Sequence, residues 1–311
     1  MTNRVTDQSR YANLAPQYNS LLSQQIAIQQ QISSGKRLTS IDQDPSGAAQ
    51  AQNLHTESAR ITQDQTNIDN MNSFAGMTST AIDTAVQYVQ RAHELAISGG
   101  DATKSPSDLA SMASEVNQII QGLVDVGAQQ FEGQYIFSGA KSSNPAFSTV
   151  KDAAGNITAV NYNGDGSSIQ AEYSPGKLID YNLLGSNENG GSFGVFRDTT
   201  AGVDTFQSLI QLRNDLTSNP NNLTNDVGAM NTVLSHLTAA EVKVGGTQIR
   251  LSTMNTAQQD VLDQVGQSLS SVEDTDVAAS ATKLAGLQNA YQAALQIGAK
   301  VGQISLLDYL H

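Results

Sequence analysis

The chain has 311 residues, with 16 Lys and Arg against 29 Asp and Glu, so its formal net charge is −13. This balance argues against nucleic acid as a main partner and against a polybasic membrane-surface role, because both need clustered basic residues. The absence of cysteine excludes a disulfide framework and a cysteine-ligated zinc site.

Two helices are predicted first along the chain. An amphipathic helix near the N-terminus is indicated by apolar residues three and four apart, at Tyr18, Leu21, Ile28 and Ile32. A much longer helix is predicted between Asp44-Pro45-Ser46 and Gly99-Gly100, because proline is tolerated in a first turn and glycine ends helices. Its apolar residues repeat every seven positions, which is typical of a coiled-coil seam: Leu54, Ile61, Ile68, Ala75, Ile82, Val89 and Ala96.

A third helix is predicted over residues 107–130, where apolar residues alternate three and four apart from Leu109 to Val126. The short connection after Gly99-Gly100 predicts an antiparallel hairpin with the preceding helix.

Residues 133–200 change character, because Gly, Asn, Ser and Asp interleave with short β-prone runs. The runs 157–162 and 169–173 are separated by Asn163-Gly164-Asp165-Gly166, a composition that suits a tight β-turn. We therefore predict a small β insertion built of hairpins, with a turn at this tetrapeptide.

Helical spacing returns after the insertion, at residues 206–216 and 227–244, and continues to Val272. The acidic segment 273–276 predicts a break, after which Thr275 or an aspartate caps the next helix. That last helix carries an apolar stripe at Leu284, Leu287, Tyr291 and Val301. Both terminal stripes are narrow, so each terminal helix needs a partner, and the simplest candidate is the other terminus.

No signature of catalysis is present: the sequence lacks the common nucleophile-elbow, phosphate-loop and zinc-protease motifs. We predict no enzyme activity, no cofactor and no metal. One alternative is a calcium loop, because oxygen-bearing residues follow the spacing of a twelve-residue loop at Asn161, Asn163, Asp165, Gly166 and Glu172. The lack of Asp at its first position and the strand-like flanks favour the β-turn.

Three segments resemble one family of proteins. Residues 32–38, together with 42–45, resemble the N-terminal segment shared by bacterial flagellins and their junction proteins, whereas the ending 305–310 resembles the C-terminus of the junction branch. The segment 133–139 resembles the opening of the β domain in the flagellar hook-filament junction (hook-associated protein 3) family. The positions that carry this resemblance are Gly35, Arg37, Asp44, Pro45, Gly133, Tyr135, Ile136, Phe137, Gly139, Asp308, Tyr309 and Leu310.

The resemblance implies a mainly α, elongated flagellin-like rod with a small β insertion. Residues 1–40 and 275–311 would pair as an inner coiled-coil domain, residues 41–139 and 201–274 would form a helical bundle around it, and residues 140–200 an outward β-rich domain.

It also implies a structural adaptor at the hook-filament junction, with assembly residues in the terminal stripes at Tyr18, Leu21, Ile28, Ile32, Leu284, Leu287, Tyr291 and Val301. The implied partners are copies of the chain in a ring, a hook-associated protein, flagellin, an export chaperone and the type III export apparatus, without nucleic acid or membrane insertion. Residues 1–18 lack the apolar core of a signal peptide, so we expect the chain to be exported to the extracellular flagellum without cleavage of a signal peptide. The nearest alternative is flagellin itself.

Overall fold

A computed structural model describes residues 7–40, 42, 44–191 and 193–309, except for the side chains of residues 7–14 and 300–309. Its helices are α1 (Asp7–Ser34), α2 (Pro45–Gly99), α3 (Pro106–Gly127), α4 (Thr205–Ser218), α5 (Leu223–Glu273) and α6 (Val277–Tyr309). Between α3 and α4 lie β1 (Gln130–Phe131), β2 (Gln134–Tyr135), β3 (Phe147–Lys151), β4 (Ile157–Tyr162), β5 (Gln170–Ser174), β6 (Lys177–Asp180), β7 (Leu184–Ser186), β8 (Gly194–Asp198) and β9 (Val203–Asp204). The predicted fold class, mainly α with a small β insertion, is confirmed.

The chain divides into two compact units. Unit 1 contains the described residues up to Ile61 and from Asp260 onward, and unit 2 contains Thr62–Gln259. Helices α2 and α5 each contribute residues to both units. The predicted division into three domains stays a prediction.

Helix α2 begins and ends where the sequence predicts, at Pro45 and Gly99. The oxygen Oδ1 of Asp44 accepts a hydrogen bond from the backbone N–H of Gly47 at 2.9 Å, which satisfies a free donor of the first turn. Along the seam, Leu54 is half-buried and the apolar residues from Ile61 to Ala96 are buried. The seven-residue spacing therefore predicts the buried face of this helix correctly.

Unit 2 has a core in which helices and strands share aromatic side chains. Rings of Phe137, Phe147, Phe196 and Phe206 pack with centroid distances of 4.9–5.8 Å and are almost wholly buried. Helix α3 packs against α4, and α3 begins with a reciprocal capping box between Ser105 and Asp108. This core joins the β insertion to the helices around it.

The strands pair differently from the prediction at one point. Strand β4 pairs antiparallel with β3, and β5 pairs antiparallel with β6. The runs 157–162 and 169–173 therefore belong to separate hairpins, and the expected turn between them at 163–166 is wrong. Neither Gly164 nor Gly166 has positive φ; a side chain at Gly164 would instead collide with the Tyr162 ring and the Ser138 carbonyl. Close approach, and not turn geometry, accounts for glycine at this position.

The terminal helices of unit 1 pack against each other. The Tyr18 hydroxyl donates to the Ala294 carbonyl at 2.6 Å, and Gln25 Nε2 donates to the Leu287 carbonyl at 3.0 Å. Because the partner number falls on α6 as it rises on α1, the two helices run antiparallel. The expected pairing of the two amphipathic termini is present within the chain.

Candidate assembly surface

The predicted stripe residues line the seam between α1 and α6. Tyr18 meets Tyr291 edge to face, with ring centroids 6.2 Å apart. Ile28 is buried, with 7% of its surface exposed, and the other predicted residues with described side chains are half-buried: Tyr18, Leu21, Ile32, Leu284, Leu287 and Tyr291. Val301 lies in α6, but its side chain is outside the described set.

A second set of apolar residues on the same helices faces solvent and is not among the predicted stripe residues. Leu22 and Ile26 on α1 are 44% and 49% exposed, and Leu295 and Ile297 on α6 are 48% and 56% exposed. The sequence feature that could predict this set is Leu22, which directly follows Leu21. It widens the apolar stripe of α1 beyond the face that one partner helix can cover. The α1/α6 pair thus retains apolar surface that further helices can cover.

The segment after α1 is bonded to the break between α5 and α6. The N–H of Arg37 donates to the Glu273 carbonyl at 2.6 Å, and the N–H of Thr275 donates to the Gly35 carbonyl at 2.9 Å. Gly35 has φ +71°, a conformation that glycine adopts without steric cost. We call this contact of residues 35–37 with residues 272–275 the clasp. It joins two segments more than 230 residues apart in the sequence.

Charged side chains surround the clasp. Lys36 Nζ lies 3.1 Å from a carboxylate oxygen of Glu273 and 3.1 Å from one of Asp274. Hydrogen bonds to Asp274 and then Glu273 raise the Lys36 pKa above its ordinary value. The Arg37 guanidinium donates to the Val272 carbonyl at 2.7 Å and contacts the Asp44 carboxylate at 3.3 Å. These groups are partly exposed, so they orient the segments more than they stabilise them.

The acidic segment itself is used for capping. Asp276 Oδ1 accepts from the N–H of Ala279 at 2.9 Å, so the aspartate alternative for the cap of α6 is the one observed. The pKa of Asp274 lies below its ordinary value because of hydrogen bonds from Ser270 and then Lys36. The sequence predicts the break, but not the contact of this break with Lys36.

The segment around residues 133–139 lies within the core of unit 2. Ile136 and Phe137 are completely buried, whereas Tyr135 is half-buried. The Phe137 carbonyl accepts from the N–H of Gly185 at 2.9 Å and from the Tyr162 hydroxyl at 3.1 Å. Burial raises the pKa of that hydroxyl. This segment therefore packs the β insertion against the rest of unit 2.

Gly139, at the end of this segment, has φ +65° and lies against Asp165. Asp165 Oδ1 accepts from the N–H of Ala140 at 2.8 Å and from that of Ser167 at 3.2 Å. In contrast, Glu172 Oε1 accepts from the N–H of Gly176 at 2.6 Å, within its own hairpin. The carboxylates of the calcium alternative thus serve separate turns. Among the described residues, no group of three His, Cys, Asp or Glu is placed to hold a metal ion.

The C-terminal positions of the family pattern lie at the limit of the described structure. Asp308 and Tyr309 belong to α6, but their side chains are not described, and Leu310 lies outside the described residues. Within the part of the chain that is described, no helix combines the length and apolar character needed to cross a membrane.

Two family models match the chain. The bacterial flagellin N-terminal helical region matches residues 7–142, and the bacterial flagellin C-terminal helical region matches residues 227–310. Together the matches include the clasp, α1, α2, α3, α6 and most of α5.

Curated relatives share about a third of the chain. Flagellin 1 of Proteus mirabilis is 31% identical over 114 residues, which are 36% of this chain and 31% of that protein. Flagellin of Salmonella typhimurium is 32% identical over 105 residues, 33% of this chain and 21% of that protein. The chain thus spans less than a third of the length of the curated relatives it matches.

Solved structures share the fold over a larger part of the chain. A flagellar hook-associated protein from Vibrio parahaemolyticus has a TM-score of 0.64 at 18% identity, over 75% of this chain and 100% of that one. Flagellar hook associated protein-3 from Legionella pneumophila has a TM-score of 0.58 at 16% identity, over 71% and 98%. FlgL from Bacillus cereus has a TM-score of 0.56 at 16% identity, over 70% and 99%.

Proposed function

The chain belongs to the bacterial flagellin superfamily, and we propose that within it the chain is a structural adaptor of the flagellum. It assembles at the hook-filament junction and joins another hook-associated protein to the flagellin filament. The observation that carries this proposal is the fold, which the chain shares with hook-associated proteins over nearly their whole length. The work of such an adaptor is the fit between two protein surfaces, without bond chemistry.

The α1/α6 pair supplies the assembly surface in this proposal. Its seam is closed within the chain by Tyr18, Ile28 and Tyr291, while Ile26 and Ile297 stay exposed. Stacking of copies would remove this apolar surface from water, which favours association at about 25 cal/mol per Å². The clasp supports the same role, because it ties the segment after α1 to the break between α5 and α6.

The domains have separate roles in the proposal. Residues 1–40 with 275–311 form the inner, assembling domain, residues 41–139 with 201–274 the surrounding helical domain, and residues 140–200 the outward β-rich domain. The partners are copies of the chain in a ring, a hook-associated protein on one side and flagellin on the other. An export chaperone and the type III apparatus deliver the chain, without a cleaved signal peptide, to the extracellular flagellum.

Flagellin, the filament subunit, is the second candidate function. The observation that favours it is the 31–32% identity to flagellins over about a third of the chain. The two candidates differ in where the protein is found: a junction adaptor occupies one short layer, whereas a filament subunit occupies the whole filament.

Immunogold electron microscopy of intact flagellated cells, with antibody against residues 140–200, distinguishes the candidates. We expect label confined to the boundary between hook and filament. Label along the whole filament would establish flagellin instead, and label on the cell body alone would contradict a flagellar role.

Assembly is tested with Ile28→Asp and Leu287→Asp, which place a charge in the α1/α6 seam. We expect loss of swimming, with the circular dichroism of the β insertion and the core of unit 2 unchanged. The matched control is Gln29→Asp, because Gln29 is an exposed neighbour on the same helix. Normal motility in both seam variants would contradict the assigned assembly surface.

A further inference from the structure

One residue of unit 2 has an unusual backbone conformation. Strands β1 and β2 are joined by the two-residue turn Glu132-Gly133, with φ of +50° and +80°. Such a turn prefers Asn, Asp or Gly at its first position, since a longer side chain is strained at positive φ. Glu132 is the only non-glycine residue with positive φ in the described part of the chain. Strain of this kind points to a use for the side chain beyond the fold.

Glu132 lies at a recess with aromatic walls. The recess has a volume of about 310 Å³ and is lined by Phe74, Phe131 and Tyr181 together with Glu132 and Gln134. The Phe74 ring meets those of Phe131 and Tyr181 edge to face at 5.9 and 5.1 Å. Aromatic rings beside a carboxylate favour a cation, and the flat guanidinium of arginine suits them best because it can also stack on a ring.

Among the side chains that the structure describes, no cation of the same chain occupies this position. Glu132 makes no ion pair or side-chain hydrogen bond among the described residues, and neither does the side chain of Gln134. The recess therefore presents an unpaired carboxylate and an unpaired amide next to three rings.

One arginine has the complementary property. Most arginines with described side chains are held by hydrogen bonds within the chain: Arg37, Arg60, Arg91, Arg197 and Arg213. Arg250 on α5 is exposed and has no such partner among the described residues. It follows Ile249, which is 71% exposed, and Val242 one heptad earlier is 70% exposed. An unpaired arginine of unit 2 thus lies on the same helix as two exposed apolar side chains, those of Ile249 and Val242.

We propose that Arg250 of one copy enters the Glu132 recess of a neighbouring copy. Each chain carries both halves of this contact, so the contact is head to tail and continues from copy to copy, as a ring or helix requires. It matches a positive group with apolar neighbours to a negative group with aromatic neighbours. The inference rests on the proposed assembly of copies at the junction, and it names a contact in unit 2 separate from the α1/α6 pair.

Cross-linking of the full-length chain tests this contact cleanly, because the chain has no cysteine of its own. One preparation carries Gln134→Cys, at the recess, and another carries Thr253→Cys, one turn after Arg250 on an exposed position. Both retain Glu132 and Arg250. The two preparations are mixed, treated with a short bis-maleimide, and analysed for dimers on a denaturing gel. A matched control replaces Thr253→Cys by Ala110→Cys, which is exposed on α3.

We expect the mixed pair to form dimers about tenfold faster than the Ala110→Cys control, a ratio typical of a close interfacial charge pair. Glu132→Gln in the Gln134→Cys preparation, or Arg250→Gln in the Thr253→Cys preparation, should remove most of that advantage. The exchanged pair Glu132→Arg with Arg250→Glu should restore it in part. Equal rates for pair and control, absence of dimers up to millimolar protein, or insensitivity to both glutamine variants would overturn the inference.

Glu132→Gly gives a second readout of the same residue. Glycine accepts φ of +50° freely, so we expect Tm to rise by about 1–3 °C while the cross-linking advantage is lost. A fall in Tm with cross-linking unchanged would contradict the inference. The cross-linking result does not depend on where the immunogold label is found. If the label lies at the hook-filament junction but the cross-linking advantage is absent, only this inference is refuted. If the cross-linking advantage is present but the label lies elsewhere, only the proposed function is refuted.

Discussion

Unit 1 and unit 2 bury their apolar residues in different ways. In unit 2 the core extends from α2 through α3 and α4 to strands β3, β4 and β8, and it includes four nearly perpendicular or tilted phenylalanine rings. In unit 1, among the side chains that the structure describes, only three apolar residues are buried: Ile28, Ala51 and Ile61. Unit 2 thus has an extended apolar core, whereas the described part of unit 1 has few buried apolar side chains.

The two units therefore differ in how they are stabilised. Burial of apolar surface is the main favourable term in folding, so unit 2 holds the larger share of this stabilisation. Unit 1 depends on a thin helix seam and on partly exposed hydrogen bonds and ion pairs at the clasp. Paired helices with few buried side chains are marginal alone and gain most from further helices. The unit with the weaker core is thus the one best suited to assemble with copies.

Phe137→Ala should have the largest effect on stability, and this effect should be confined to unit 2. Phe137 is fully buried against Phe196, so its removal leaves a cavity and should lower the free energy of unfolding of unit 2 by about 3–5 kcal/mol. Urea unfolding followed by circular dichroism measures the loss. The control is Leu178→Ala, where the side chain is 59% exposed and less than about 0.5 kcal/mol is expected. Equal losses in both variants would refute the assigned core.

Asp226→Asn should stabilise unit 2 in a pH-dependent way. Burial first, and the neighbouring Asp215 second, raise the Asp226 pKa from 3.8 to about 6. The folded chain therefore holds this proton more tightly than the unfolded chain. The resulting stabilisation is complete below about pH 4 and is lost as the pH rises through 6.

The asparagine variant removes the buried charge, so its free energy of unfolding at pH 8 should exceed that of the parent by about 2–3 kcal/mol. At pH 4, where Asp226 is protonated in the folded chain, the two should nearly coincide. Urea unfolding at both pH values provides the test, and a gain that is the same at pH 4 and pH 8 would rule out this carboxyl as its source.

Ile28→Ala should have a smaller effect, confined to unit 1. Ile28 is the most buried described residue of the α1 stripe, but its neighbours are only half-buried, so a loss of about 1–2 kcal/mol is expected. Amide exchange measured by mass spectrometry should accelerate in α1 and α6 and stay unchanged in α3. Ile26→Ala, on the exposed side of the same helix, is the matched control. Faster exchange in Ile26→Ala than in Ile28→Ala would reverse the assignment of the two faces.

Lys36→Met should have the smallest effect. The variant keeps the length of the side chain and removes two ion pairs at the clasp, to Glu273 and Asp274. Because Lys36 is partly exposed, the loss should be at most about 1 kcal/mol and should disappear in 1 M salt. Exchange of the amides of Arg37 and Thr275 reports it locally. A loss that persists at high salt would show that packing, and not charge, holds the clasp.

Much of the helical structure is predictable from local residues. The ends of α2 follow from Pro45 and Gly99, and its buried face follows from the spacing of Ile61, Ile68 and Ile82. The spacing of the terminal stripes predicts the α1/α6 seam, in which Ile28 and Tyr291 lie, but it does not predict the exposed Ile26 and Ile297. Periodicity identifies apolar helical faces, but it does not distinguish a face that packs within the chain from one that is exposed and available to another copy.

Local sequence is enough to predict the ends of most helices, the buried face of α2 and the resemblance to the flagellins, because caps, spacing and short motifs act within a few residues of one another. The tertiary structure decided which strands pair, that Gly35 meets Thr275 at the clasp, and that Glu132 takes a strained turn beside three rings. These contacts join segments that are distant in the sequence. They are set by the packing of the whole chain, which no local pattern encodes.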